Sequence, residues 1–348
     1  MKKDNTLFYD KTKLLSYHMF FNIVVGNRGG GKTYGFKKWG IDDDIKNGRQ
    51  FAWVRRYCTE IKKMRKEFFK DIAPLYPSAK FSIRGDDKIG EFLMDGKVIG
   101  YYFALSTSII AKSMPFPLID KIIFDEFLIM GRTYRYINDE VTLLLELIET
   151  IFRNREYEAK TDPTVIKPRG VFLIGNNVTI ANPYYLYFDI RPTSKFFVDK
   201  VRGICVEQFS NEQFIEMKKQ SSLGKLTKGT KYEEYAIENK AYLDNDRFIK
   251  PKPNTAKFNC AIVYHGKTYG FWLDYKNGNM YCNMQYDPNS YNIYSLTKDD
   301  HSINTYLVKN TNNTYIKNVL WLFSNGCMFF ENTQIKGAVF EILAHFYK

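Results

Sequence analysis

The chain has 348 residues, 45% of them hydrophobic, with 51 Lys and Arg against 38 Asp and Glu, a net charge of +13. That apolar content is enough for real cores and excludes global disorder, and the length accommodates one large domain or two ordinary ones. The basic excess favours a polyanionic partner, although a solvated basic surface would give the same number.

The opening "MKKDNTLFYDKTK" lacks the apolar core of a signal peptide, and no run reaches membrane-spanning length. Five widely spaced cysteines (Cys58, Cys205, Cys260, Cys282, Cys327) show no paired metal-ligand spacing and fit reduced thiols. A soluble intracellular protein without a membrane partner is expected.

In chain order, the first strong pattern is "FFNIVVGNRGGGKTYGF", residues 20–36. Gly26 to Thr33 fit the P-loop spacing, a Gly, four residues, then Gly-Lys-Thr, between an apolar strand and a helix start. Glycines let backbone amides close around phosphates, and the helix N-terminus adds positive potential. The candidate nucleotide-binding set is Gly26, Arg28, Gly29, Gly30, Gly31, Lys32 and Thr33. Lys32 would face the β- and γ-phosphates, and Thr33 would hold Mg²⁺. A ligand-free Gly-rich turn is the competing reading.

Strands are expected over 20–25, 51–54, 98–105, 119–124 and 171–174, and helices over 33–43, 59–71 and 138–155. This alternation predicts an α/β fold with a mostly parallel sheet. Residues 81–105 read instead as short antiparallel strands around Gly85 and Gly96, an inserted subdomain. In "DKIIFDEF", Asp125 sits at the tip of a buried strand as a Mg²⁺ ligand. Glu126 follows it, placed to orient and deprotonate an attacking water. "ELIETIFRNREYEAK" puts Arg153 and Arg155 after an amphipathic helix, where an arginine could project into a neighbour's site or merely complement the helix dipole. Lys112 invites the same idea. Asn176, at the end of "VFLIGNN", is either a γ-phosphate sensor or a turn former.

The texture changes near residue 210. Residues 217–231, "MKKQSSLGKLTKGTK", hold Lys218, Lys219, Lys225, Lys228 and Lys231 and no acid, and "KPKPNTAK" follows at 250–257. Beyond lie a three-stranded meander over 258–264, 268–273 and 280–285, with turns at His265-Gly266 and Asn277-Gly278, and helices over 316–323 and 334–346. From residue 258 onward there are seven lysines, no arginine and six acids, so +12 of the +13 lies earlier. Thr297-Lys298-Asp299-Asp300 resembles a guanine-specificity motif but falls in this second region and is set aside.

The ordered set "GNRGGGKT", "KIIFDEF", "IETIFRNRE" and "FLIGNN" resembles the DNA-packaging ATPases of small, protein-primed tailed phages, over essentially the whole chain. The resemblance implies a P-loop NTPase of the additional-strand, catalytic-glutamate type (residues 1–207), followed by the linker region with some helix (208–257) and a small α+β RNase H-like domain (258–348). It also implies an ATP- and Mg²⁺-dependent ATPase acting in the host cytoplasm as a homopentameric ring on a portal and procapsid. That ring would drive double-stranded DNA inward, with a structural RNA as a possible further partner. Carried across, Lys32 and Thr33 bind nucleotide, Asp125 binds Mg²⁺ and Glu126 is catalytic, while Arg153 and Lys112 act in trans. The C-terminal domain is expected not to cut DNA: a two-metal nuclease needs clustered carboxylates, its first strand has no acid and Asp274 ends the second alone, with Asp299, Asp300 and Glu331 left as possible partners for a weak nuclease. Two other readings stay open, a DNA translocase or helicase acting without a capsid, and an ATP-switched docking protein without significant turnover.

Overall fold

Six consecutive residues, Phe21–Gly26, all apolar or glycine except Asn22, form β1, and every one of them is buried. A strand covered on both faces belongs in the middle of a sheet, and β1 pairs in parallel with a strand on each side. The computed structural model describes residues 8–129, 136–179, 182–191, 195–237, 247–308 and 312–346. They fall into two compact units, 1–178 with 191–242, and 179–190 with 243–348.

The first unit holds a nine-stranded sheet. Its further strands are β2 (Gln50–Arg55), β3 (Phe81–Gly85), β4 (Ile89–Met94), β5 (Lys97–Ala104), β6 (Ile119–Asp125), β7 (Gly170–Asn176), β8 (Phe196–Asp199) and β9 (Ile204–Phe209). Their order is β3-β4-β5-β2-β6-β7-β1-β9-β8. The six from β5 to β9 are mutually parallel, and β4, β3 and β8 add antiparallel edges. Because β7 lies between β1 and β6, an additional strand separates the P-loop strand from the one ending in Asp125.

The helix Lys32–Asn47 follows the P-loop and stops at Gly48, which adopts a left-handed conformation and returns its amide to Asp44. Phe36 and Trp39 on this helix pack against Phe172 of β7. Phe51 of β2, Phe92 of β4 and Phe68, which ends the helix Cys58–Glu67, form a stack, the last two with centroids 4.0 Å apart.

One expectation needs correction. Residues 81–105 are not an inserted subdomain: β5 pairs in parallel with β2, so β3 and β4 extend the main sheet. The turns at Gly85 and Gly96 read the same locally in either arrangement; burial of Ile99, Tyr102, Phe103 and Ala104 shows that β5 is interior. Further on, the interval 208–257, expected as a linker with some helix, is helical in part. Its start cuts β9, and it carries the helices Glu212–Gln220, Ser222–Leu226 and Lys231–Ala236, with Phe214 buried. The boundaries at 207 and 257 therefore differ from the limits of the compact units. Residues 238–246 of that interval lie outside the described residues.

The second unit contains β10 (Lys257–Tyr264), β11 (Lys267–Asp274), β12 (Asn279–Asn283), β13 (Ile293–Ser295), β14 (Tyr306–Leu307) and β15 (Met328–Phe330), in the order β14-β13-β10-β11-β12-β15. The first three are antiparallel, and β13 and β14 run parallel to β10. Order three-two-one-four-five with that orientation is the arrangement the RNase H-like expectation requires, with β15 added beside β12. His265 and Gly266 both have positive φ, the backbone of a tight hairpin turn. Asn313 and Asn332 cap the helices Thr314–Ser324 and Thr333–Ala344. Ile316, Val319, Ile335 and Val339 of these helices join Cys260, Phe271 and Met280 in one core.

Two acids of this unit, Asp274 and Asp300, hold turns. Asp274 accepts hydrogen bonds from the Lys276 amide and from Asn277 Nδ2 at the end of β11. Asp300 accepts from the amides of His265 and Gly266, at its start, and from Thr297 Oγ1. At about 3.3 Å per residue the two carboxylates are separated by roughly 25 Å of strand.

Candidate nucleotide site

The parallel strands β1, β6 and β7 end at one edge of the sheet, where open α/β folds bind their ligands. Gly26 ends β1, and its close approach to β9 leaves no room for a side chain: a Cβ there would lie 2.4 Å from the Phe209 carbonyl oxygen. A Cβ on Gly30 would lie 2.8 Å from the Phe209 ring, so β9 supports the loop from beneath. Gly31 has φ 82° and is the N-cap of the following helix, a left-handed position that favours glycine.

Lys32 is buried and donates hydrogen bonds to the carbonyls of Gly26 (2.9 Å) and Asn27 (2.8 Å). Burial pulls its ammonium down to about 7, with the Asp125 charge opposing and Lys218 adding to the shift. Thr33 Oγ1 donates to Asp125 Oδ1 at 3.0 Å, joining the two proposed Mg²⁺ ligands across 92 residues. Burial raises the Asp125 carboxyl above the usual range, against the opposing charge of Arg55.

Glu126 has φ 58° and donates its amide to the Ile174 carbonyl of β7 at 2.9 Å. The chain thus turns sharply just past Asp125 and leaves the Glu126 side chain 59% exposed. Asn176 is half-buried at the end of β7, in register with Gly26. Arg28 is exposed, and its carbonyl accepts a hydrogen bond from Lys218 Nζ.

Two residues outside the expected set belong here. Arg55, the last residue of β2, brings Nη1 2.7 Å from Glu126 Oε2 and 3.8 Å from Asp125 Oδ2. Arg56 is buried and grips Glu140 through Nε at 2.6 Å and Nη2 at 2.9 Å, and it also donates to the Phe127 carbonyl. The available signal was the pair of arginines ending the apolar run "FAWV".

Arg153 and Lys112 come together, away from the P-loop. The helix Glu140–Phe152 begins beside Arg56 and ends at Arg153, about 20 Å along its axis. Exposed Arg153 donates to the carbonyls of Lys112 (3.3 Å) and Met114 (3.2 Å), and Lys112 pairs with Glu146 at 3.0 Å. Among the described residues, none of these contacts involves 26–33. Arg155 is different: it is buried and donates to the carbonyls of Pro117, Ile151, Ile166 and Ile119 near the opposite end of β6.

Residues 3–347 match the family described as Podovirus DNA encapsidation protein (Gp16). The chain is 34% identical over 340 residues to the DNA packaging protein of Bacillus phage phi29, covering 97% of this chain and 98% of that one. It superposes on a chain of the bacteriophage phi29 viral genome packaging motor assembly with TM-score 0.73 and 33% identity, over 97% of this chain and 99% of the other. The crystal structure of the N-terminal domain of the phi29 DNA packaging ATPase covers 60% of this chain and 99% of its own, at 33% identity and TM-score 0.51. With a family match that spans almost every residue and these similarities end to end, the chain belongs to the podovirus DNA encapsidation protein family.

Proposed function

We propose that this chain is an ATP-driven packaging motor that moves double-stranded DNA into a procapsid as a homo-oligomeric ring, five subunits being the number the resemblance implies. The observation that carries this reading is the Thr33–Asp125 hydrogen bond beside a solvent-facing Glu126 held by Arg55. Two hard oxygen donors suit Mg²⁺, which takes its remaining ligands from phosphates and water. The cradle fits a polyphosphate: its glycines are packed against β9 and Phe8, and a buried cation faces it.

In this reading Lys32, Arg28, the loop amides and Asn176 hold the phosphates of ATP, and Thr33 and Asp125 hold Mg²⁺. The metal supplies neutralisation of phosphate charge when bound. Glu126 orients and deprotonates the attacking water, and Arg55 holds its carboxylate in place. Arg153, at the far end of its helix, and Lys112, packed beside it from the segment Leu105–Ser113, lie away from their own P-loop and act on a neighbour's site, whereas Arg155 is tied into its own subunit. DNA is held through its phosphates, which requires no particular sequence. The wide separation of Asp274 and Asp300 supports a C-terminal domain that does not cut DNA, since two-metal sites need carboxylates shared by ions about 4 Å apart.

The test is ATP hydrolysis with and without double-stranded DNA, followed by DNA protection from nuclease in the presence of procapsids and portal. Stimulated hydrolysis and protection that needs ATP, chain and procapsid together are expected. ATP binding without turnover would assign the chain to a docking role, and DNA movement indifferent to procapsids would make it a general translocase.

A further inference from the structure

The lysine-rich segment 217–231 looks from its sequence like a stretch for contacting a polyanion along its length. One of its lysines is placed otherwise. In the helix Glu212–Gln220, Phe214 is buried and Lys218 stands four residues later, on the same face. That face meets the P-loop. Lys218 Nζ donates to the Arg28 carbonyl, a Cβ on Gly29 would lie 3.6 Å from the same nitrogen, and the ammonium sits 4.9 Å from the Phe214 ring centre.

Three cations, Arg28, Lys32 and Lys218, therefore crowd one eight-residue loop. Burial and the Arg28 charge pull the Lys218 ammonium down, and Lys218 in turn weighs on Lys32. Like charges gathered on a loop of backbone amides are costly alone and are offset by an anion of several charges. A lysine on a flexible four-carbon stem can exchange a loop carbonyl for a phosphate oxygen with a small movement.

We infer that Lys218 is a second cationic ligand of the nucleotide phosphates, delivered by the helix Glu212–Gln220, so that this helix responds to nucleotide. The inference rests on the nucleotide reading of the P-loop. It also separates Lys218 from Lys225 and Lys228, which are exposed.

The full-length protein is titrated with Mg²⁺-ATP in competition with a fluorescent ADP, as wild type, Lys218→Gln, Lys218→Arg, Lys225→Gln and Lys32→Ala. Loss of a charge-assisted contact predicts about tenfold weaker ATP binding for Lys218→Gln. Lys218→Arg should lose less than about threefold, because the charge is kept, and Lys225→Gln should match wild type. Hydrogen exchange of the amides in 212–220 should slow with ATP in wild type and not in Lys218→Gln. Wild-type affinity for Lys218→Gln, or an equal loss for Lys225→Gln, overturns the inference. Binding lost in Lys32→Ala but kept in Lys218→Gln would sink this inference alone; equal binding by Lys32→Ala and wild type would sink the nucleotide site with it.

Discussion

Arg55 and Glu126 meet at 2.7 Å, from the tips of two adjacent parallel strands. The pair is asymmetric, since Arg55 is 15% exposed in its side chain and Glu126 59%. A buried cation thus holds an exposed carboxylate at the sheet edge and leaves its other oxygen toward solvent.

Substitution of Glu126 by Gln should leave ATP binding intact and lower hydrolysis by roughly 10²–10⁴, the usual loss when a general base is removed. Lys32→Ala should abolish binding instead, and Asp125→Ala should weaken its Mg²⁺ dependence. Binding and turnover measured on the same preparations separate these effects. Equal turnover by wild type and Glu126→Gln would remove Glu126 from the chemistry.

Replacing Arg55 by Ala takes away the cation between two carboxylates. Hydrolysis should fall about 10²-fold through loss of alignment at Glu126, while ATP affinity changes less than about threefold, because the uncharged replacement leaves the P-loop intact. A large loss of affinity with unchanged turnover would show that Arg55 binds nucleotide and does not position Glu126.

Arg153→Ala should lower hydrolysis by roughly 10³–10⁵, as trans-acting arginines do. Mixing it with Glu126→Gln subunits should restore part of the activity, because a mixed interface pairs an intact arginine with an intact glutamate. Arg155→Ala should behave differently, lowering the melting temperature through loss of a buried cation that serves four carbonyls. No recovery in a mixture shown to co-assemble would end the trans assignment.

Asp44 gives a pH signature of stability. Burial raises its carboxyl to about 6, above the ordinary value. Between about pH 4 and 6 the folded state then holds more protons than the unfolded state, so stability falls as pH rises through that window. Asp44→Asn should therefore raise the melting temperature at pH 8 and match wild type near pH 4. A gain of the same size at both pH values would mean that charge is not its source.

Neutralising Lys219, Lys225, Lys228 and Lys231 while keeping Lys218 should flatten the salt dependence of DNA binding. Each phosphate contact contributes about −0.9 to the slope of log K against log salt, so four contacts would change it by about 3.6. An unchanged slope would direct these lysines to another partner, an RNA or an acidic portal surface.

Much of the site was legible because its parts are contiguous in the chain. Gly26 to Thr33 and Asp125-Glu126 each lie on one strand tip, and local spacing alone carries them. The hairpin at His265-Gly266 was local too, set by a backbone conformation that a few residue types tolerate.

What the tertiary structure decided is which strand tips are neighbours. β2 beside β6 brings Arg55 to Glu126, and β9 beside β1 puts Phe209 beneath the loop; residues 55 and 126, or 26 and 209, carry no periodic sign of such pairing. The same holds for burial. Arg153 and Arg155 are two residues apart and of the same type, yet the irregular backbone that ends the helix at Arg153 leaves one exposed and buries the other among carbonyls of its own subunit. Lys218 is indistinguishable from its neighbours until the helix carrying it buries Phe214 and points that face at the P-loop. Sequence specifies the chemistry that each segment can offer; only packing between distant segments determines which groups share a dielectric, a partner and a site.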